Sequence, residues 1–356
     1  MTALLVAARR VIDGSGSDGP GWAVVSRGQV TQRGTGAAPR TPDREIDALL
    51  PGFIDAHLHG ARGVDFGTVG TDPHDAIAWH AGRGSTALIA SLATGALDAM
   101  RTRLTELSPL VRAGVLAGLH LEGPFLCAGR RGAHNPDLLR SPSRGDVEAL
   151  LQAGDGAIRM ITLAPELPGA LDVIPLLVDA GVRVAIGHTE ADAATVARAA
   201  DLGASVMTHL FNGMPPLHHR SPGPVGVGLT DERITVELIG DGAHLDDRAL
   251  DLALRACTGR AILVSDAMAA AGLGDGSYTL AGSDVVVRDG VARLAGATAI
   301  AGSTSSVSDA VERLLARGAD PATIAELTAV TPARALGVDV PPLAVALDGG
   351  RVSRVG

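Results

Sequence analysis

From Leu49 onward the chain alternates short apolar runs of strand length with amphipathic stretches in which apolar residues return every three or four positions. A strand covered on both faces reads as a continuous apolar run and a packed helix buries one stripe, so the alternation predicts βα units around a parallel sheet. Eight runs fit: Phe53 to Ala56, Thr86 to Leu92, Val115 to Leu121, Ile158 to Leu163, Val182 to Ile186, Ser205 to Thr208, Ile234 to Ile239 and Ala261 to Ser265. Helix signals lie between them, as where Asp72 precedes Pro73 in N-cap position and Gly82 stands near the far end. Eight repeats in about 220 residues favour a (β/α)₈ TIM-type barrel over an open doubly wound sheet.

The first fifty residues have a different texture: β-type runs at Leu4 to Ala7 and Trp22 to Ser26, with Gly-rich turns such as Asp13 to Gly21. Gly14, Gly16 and Gly19 match G-x-G-x-x-G, but Pro20 and Gly21 follow where a helix should begin, so the reading is a turn. After the eighth run come a β-like stretch from Tyr278 to Ala301 and two helical patterns, Ser305 to Arg317 and Pro321 to Leu336. The tail from Leu343 to Val355 returns to hairpin texture around Asp348-Gly349-Gly350. The expected organisation is an α/β barrel over 53–338 beside a small β-sandwich domain that both chain ends, 1–52 and 339–356, build together.

Composition narrows the function. The chain has 356 residues, 46% hydrophobic, and a net charge of −9, which disfavours nucleic acid and anionic membrane as partners. All 30 basic residues are arginine, which excludes lysine Schiff bases, a P-loop lysine and a carbamylated lysine bridging metals. Aromatics at 2% supply no base-stacking platform. Cys127 and Cys257 are too few for a disulfide framework, and Leu4 to Ala8 followed by Arg9 and Arg10 reverses the order of a secretory signal, so a cytoplasmic protein is expected.

In a parallel barrel the loops after the strands converge at one mouth. There the first run ends in His57-Leu58-His59, the third in His120-Leu121-Glu122, the fifth in Gly187-His188, the sixth in Thr208-His209 and the eighth in Ser265-Asp266. Taken singly, each is as well explained by a hydrogen-bonded core histidine or a helix-capping carboxylate. Together they are an excess of acceptors with few cations nearby, and a divalent metal resolves that excess. Imidazole and carboxylate without thiolate suit zinc first, with iron, manganese and cobalt as alternatives. Six groups exceed one tetrahedral ion: His57, His59 and Asp266 would hold one, His188 and His209 another, and Glu122 would bridge. Such a pair activates water and polarises a carbonyl, with Asp266 carrying the proton to a leaving amine.

Several motifs carry a resemblance through the whole barrel: Pro51-Gly52-Phe53-Ile54-Asp55-Ala56-His57-Leu58-His59-Gly60, His120-Leu121-Glu122-Gly123-Pro124-Phe125, Gly132-Ala133-His134-Asn135-Pro136, Thr208-His209-Leu210-Phe211-Asn212-Gly213-Met214, Asp241-Gly242-Ala243-His244 and Ser265-Asp266-Ala267. The chain resembles the N-acetylglucosamine-6-phosphate deacetylases of the amidohydrolase superfamily. The resemblance implies that Glu122, His188 and His209 are metal ligands and that Asp266 is the catalytic acid and base. It implies that His134, with Ala133 before it, contacts the acetamido group. It also implies that Asn212, Gly213, Arg220 and His244 bind the sugar phosphate, and that Ala301, Gly302 and Ser303 line the pocket. A homodimer follows, in which Arg220, on the Pro-Gly-rich loop from Pro215 to Gly228, serves the neighbouring subunit. Because both His57 and His59 are present, one or two ions per subunit are expected.

The expected reaction is removal of the acetyl group from N-acetyl-D-glucosamine 6-phosphate. The rivals are an amidohydrolase acting on another N-acyl amino sugar or N-acyl amino acid, and a non-catalytic sugar-phosphate scaffold. His218 and His219 are read as solvated, His74 and His80 as structural or exposed, His120 as core or support for its neighbours, and Cys127 as a loop thiol without a nucleophilic role.

Overall fold

Each of the eight apolar runs forms a parallel strand in the computed structural model, which describes residues 3–26 and 28–355. Residues 1, 2, 27 and 356, which belong to the expected terminal unit, lie outside the described residues. The strands are Phe53–Leu58, Ser85–Ala93, Gly118–Glu122, Ile158–Leu163, Arg183–Ile186, Val206–Met207, Thr235–Ile239 and Ala261–Val264, and they pair in sequence order. Nearly all their residues are buried, because helices cover the outside and side chains fill the inside. The inner layer draws Ile54, Ala56, Ile89, Met160, Ala185, Val206, Ile239, Ile262 and Val264 from seven of the eight strands, joined by Ala333 and Leu336 of the last helix.

The seam between the first and eighth strands closes just beyond the ladder. The Asp266 N–H donates to the His57 carbonyl at 2.8 Å, and the His59 N–H to the Ala267 carbonyl at 2.7 Å. The Ser265 N–H donates to Asp55 Oδ1 at 3.1 Å. Asp55 has no exposed surface, and burial pushes its carboxyl up to about 7 against the hydrogen bonds from Ser265. Barrel closure and placement of three candidate ligands are thus the same set of contacts.

The chain ends pair in one six-stranded sheet, in the order Arg351–Arg354, Leu343–Asp348, Arg44–Pro51, Leu4–Ile12, Asp18–Ser26, Gln29–Thr35. Its apolar face buries Val6, Ala23, Val25, Ile46, Leu49 and Ala346. Gly14 and Gly16 sit at φ +78° and +96° in the turn between two of these strands, so the G-x-G-x-x-G match is a turn. The stretch after the eighth strand is a meander of Gly276–Leu280, Ser283–Arg288 and Val291–Leu294. It packs with Ala133, Met268 and Ala270 over the mouth.

Three local expectations are adjusted. The helix expected from Pro73 runs His74–Gly82, with Asp72 Oδ1 accepting the His74 N–H at 3.0 Å. The pattern from Pro321 to Leu336 contains a π-helical turn, Glu326–Val330, just before Pro332, whose missing N–H cannot complete the α-type ladder. The Pro-Gly-rich loop holds a buried helix, Gly223–Thr230. Its glycines serve close packing: a Cβ at Gly228 would come within 2.8 Å of the Leu210 side chain. Among the described residues no helix is long and apolar enough to cross a membrane.

Asp55→Ala would strand the buried Ser265 N–H at the seam and is expected to cost about 1–3 kcal/mol in urea unfolding, whereas Asp55→Asn, which keeps an acceptor, loses less than half of that. Equal losses in the two variants would refute the hydrogen bond as the reason.

Candidate metal centre

His57 stands at the end of the first strand with His59 one residue beyond it, and Glu122 ends the third, while His188, His209 and Asp266 each stand two residues beyond the fifth, sixth and eighth. These last three have φ of +47°, +27° and +49°, in the left-handed region that non-glycine residues avoid. Backbone strain of this kind persists where surrounding contacts over-determine it, and it gathers at functional sites. A Cβ at Gly213, itself at φ +63°, would lie 3.0 Å from His188 Nδ1, so that glycine makes room for the ring.

All six side chains are buried and face one another. His57 Nε2, His59 Nε2 and Asp266 Oδ1 form a triangle with edges of 3.3, 3.4 and 3.6 Å. Glu122 Oε1, His188 Nε2 and His209 Nε2 form a second, with edges of 3.0, 3.0 and 3.1 Å. Glu122 Oε2 reaches the first group through His59 Nε2 at 3.0 Å, so one carboxylate touches both. Zinc bonds of about 2.0–2.2 Å place tetrahedral ligand atoms about 3.3–3.6 Å apart, which the first triangle matches and the second approaches.

The hydrogen positions reinforce this. His57 Nδ1 donates to Glu237 Oε2 at 2.9 Å and His188 Nδ1 to the Arg130 carbonyl at 2.7 Å. In their neutral tautomers both rings therefore turn an Nε2 lone pair inward. Lone pairs facing carboxylate oxygens and each other at about 3 Å are stable only around a cation, a proton or a metal. His134 is the exception. Its Nδ1 accepts the Thr94 N–H at 3.2 Å, so its Nε2 bears the hydrogen and donates toward Glu122 Oε2, 3.3 Å away. Burial holds the His134 imidazole down at about 4, neutral.

Without metal, His57 and His59 hold protons. Burial opposes charge on His57 and His59, yet Glu122 and Asp266, with Glu237 beside His57, outweigh it and raise both, His59 to about 9. Burial likewise opposes charge on Glu122 and Asp266, and the histidines around them outweigh it to hold both carboxylates well below the usual range.

The cluster forms the floor of a cavity of about 280 Å³. Ala133, His134, Asn212, Gly213, His244 and Gly302 line it, with Leu280 and Ile300 from the meander region as an apolar wall. His244 Nδ1 pairs with Asp241 Oδ2 at 2.7 Å. Ala301 lies behind the wall in the meander's core. Ser303 also stands back: its Oγ donates to the Ser265 carbonyl at 2.6 Å and its N–H to the Asp266 carbonyl at 2.7 Å, bracing the segment that carries Asp266. Arg220 is exposed and off the cavity wall, its Nη1 2.8 Å from His219 Nε2. His80 is buried and neutral, its pKa lowered to about 4 by burial. His120 is buried beneath the site between Ser91 Oγ and Thr162 Oγ1, at 2.9 and 2.8 Å.

Glu237 and Asp55, both fully buried beside the ligands, escaped the sequence reading. The signal was a carboxylate inside an otherwise apolar strand, which only a partner opposite explains.

Residues 48–341 match the amidohydrolase family. The chain belongs to that family. The N-acetylgalactosamine-6-phosphate deacetylase of Escherichia coli O157:H7 is 38% identical over 83% of this chain and 80% of its own length. The N-acetylglucosamine-6-phosphate deacetylase of Vibrio furnissii is 36% identical over 86% and 77%. Among solved structures, an aspartate-to-alanine variant of N-acetyl-D-glucosamine-6-phosphate deacetylase from Mycobacterium smegmatis, in complex with N-acetyl-D-glucosamine-6-phosphate, superposes with a TM-score of 0.91. It is 40% identical over 99% of this chain and 97% of that one. Within the amidohydrolases the chain therefore sides with the amino-sugar-phosphate deacetylases, and a divalent metal suits its ligand clusters.

Metal must displace the protons this amidohydrolase cluster holds. Binding of an ion at His57, His59 and Asp266 is expected to release about 1–2 protons near neutral pH, and its affinity to rise as pH climbs from neutrality toward 9, where His59 loses its proton. Calorimetry in buffers of different ionisation enthalpy measures the release; none, with pH-independent affinity, would contradict the proton-filled cluster.

Proposed function

We propose that this chain hydrolyses the acetamido group of N-acetyl-D-glucosamine 6-phosphate, giving D-glucosamine 6-phosphate and acetate. The observation that carries the reading is one cavity floor that joins two metal-sized triangles of ligands to an imidazole turned the other way, its N–H pointing in. His57, His59 and Asp266 would hold one ion and Glu122, His188 and His209 the other, with zinc the best match to this donor set. When bound, such ions supply Lewis acidity, which makes water nucleophilic near neutral pH and polarises a carbonyl.

The chain's own groups do the rest. The His134 Nε2–H donates to the acetamido oxygen as negative charge grows on it. Asp266, ionised and buried, accepts a proton from the attacking water as the new C–O bond forms, and passes it to the nitrogen as the C–N bond breaks. Asn212, Gly213 and His244 would receive the sugar, with Ala133 and Gly302 close by. A second reading, the galactosamine epimer, is favoured by the likeness to the N-acetylgalactosamine-6-phosphate deacetylase of E. coli O157:H7.

Zinc-loaded protein should release acetate from N-acetylglucosamine 6-phosphate and not from the unphosphorylated sugar. Asp266→Asn should keep the fold and the Glu122 ion while losing about 10³-fold or more in kcat. Faster release from the galactosamine epimer would decide for the second reading. Near wild-type turnover by Asp266→Asn would remove its assigned role.

A dianionic phosphate calls for a cation, yet among the described residues no arginine lines the cavity. We infer a homodimer in which exposed Arg220 crosses into the neighbouring site. The two cysteines, both free, suit a reducing compartment, and the cytoplasm is the proposed location. Mixing Arg220→Ala with Asp266→Asn chains under subunit exchange should restore about a quarter of wild-type activity, because each mixed dimer rebuilds one intact site. No recovery would place Arg220 in its own subunit's site.

A further inference from the structure

Glu237 sits within the seventh strand with no exposed surface. Its Oε2 accepts two hydrogens, from His57 Nδ1 at 2.9 Å and from the His209 backbone N–H at 3.2 Å. Its main-chain carbonyl accepts the Leu210 N–H at 2.9 Å. Glu237 therefore grips the strained His209–Leu210 turn from side chain and backbone together. Among the described residues its Oε1 has no partner, so the side chain makes no other hydrogen bond there.

The geometry points to Glu237 as the positioning residue that makes the His57 group a metal position and ties it to the other one. Among the described residues His57 has no other hydrogen-bonded anchor for its Nδ1–H, whereas His188, in the second triangle, is held independently by the Arg130 carbonyl. A ligand imidazole whose far N–H is held by a carboxylate is fixed in tautomer and is a stronger donor. Loss of the charge at Glu237 weakens the ion at His57, His59 and Asp266 first. Loss of the whole side chain also frees the His209 N–H and reaches the second ion. The inference rests on the two-ion reading proposed above.

The test uses Glu237→Gln, whose amide oxygen can still accept both hydrogens, with Glu237→Ala beside it. Wild type should purify with about two zinc ions per chain by elemental analysis and Glu237→Gln with about one. Chelator competition should show the weaker ion's affinity down about 10–100-fold and the tighter one within about twofold. Cobalt-substituted protein should lose one component of its visible absorption. Metal-free Glu237→Gln should stay folded by circular dichroism at the titration temperature, though with a lowered thermal midpoint, because a protonated His57 loses the carboxylate that faces it. Two ions of unchanged affinity in Glu237→Gln, or equal weakening of both, would overturn the inference and leave the two-ion reading standing. A wild type that binds a single ion would overturn both.

Discussion

The structure turns on a surplus of lone pairs. Six side chains from five strands meet at one end of a barrel with more acceptors than hydrogens to share, and only positive charge makes the arrangement stable. In the bare protein His57 and His59, beside the carboxylates, keep protons that supply it, and a divalent ion suits the same clusters. Three strand-end residues accept left-handed backbone conformations to bring their side chains in. That strain is sustained by the contacts closing the barrel: the Asp266 N–H on the His57 carbonyl, Ser303 on Ser265 and Asp266, and Glu237 on His209.

Beneath the six clustered side chains lies a polar layer that does not line the cavity. Ser91 Oγ takes the Leu58 N–H and meets His120, which meets Thr162, which meets Thr208. His120 is kept neutral by burial, its ring 4.7 Å from that of His57. The layer joins the first, second, third, fourth and sixth strands below the candidate ligand atoms, so the strand ends share one fixed reference. Apolar packing begins only beneath it, at Ile54, Ile89 and Met160. A buried polar network is tolerable when its members are satisfied, and it then contributes rigidity where ligand atoms must hold position to a few tenths of an ångström.

Much of this was legible in the sequence because its periods are strong. The barrel strands announced themselves as apolar runs, and the ligands stood at their ends. What stayed hidden depends on contacts between distant segments. Glu237 and Asp55 are single acids inside apolar strands, and nothing along the chain tells which N–H lies opposite. Gly223 to Thr230 looked like a loop because propensity scores glycine as flexible, while tertiary packing used it for close approach to Leu210. Ala301 and Ser303 sit next to pocket-lining Gly302 and yet face elsewhere, since a turn distributes successive side chains in different directions.

The two kinds of histidine in the site show how little separates a ligand from a hydrogen-bond donor. His188 and His134 are both buried, and their rings lie 4.8 Å apart. One Nδ1 faces a carbonyl, that of Arg130, so it keeps its hydrogen and the other nitrogen offers a lone pair. The other Nδ1 faces an N–H, that of Thr94, so it gives up its hydrogen and the far nitrogen carries it. The role of each ring is therefore written in the backbone group behind it, which fixes which ring nitrogen carries the hydrogen. Residue type alone specifies that a histidine is present; the main chain behind it specifies what it can do.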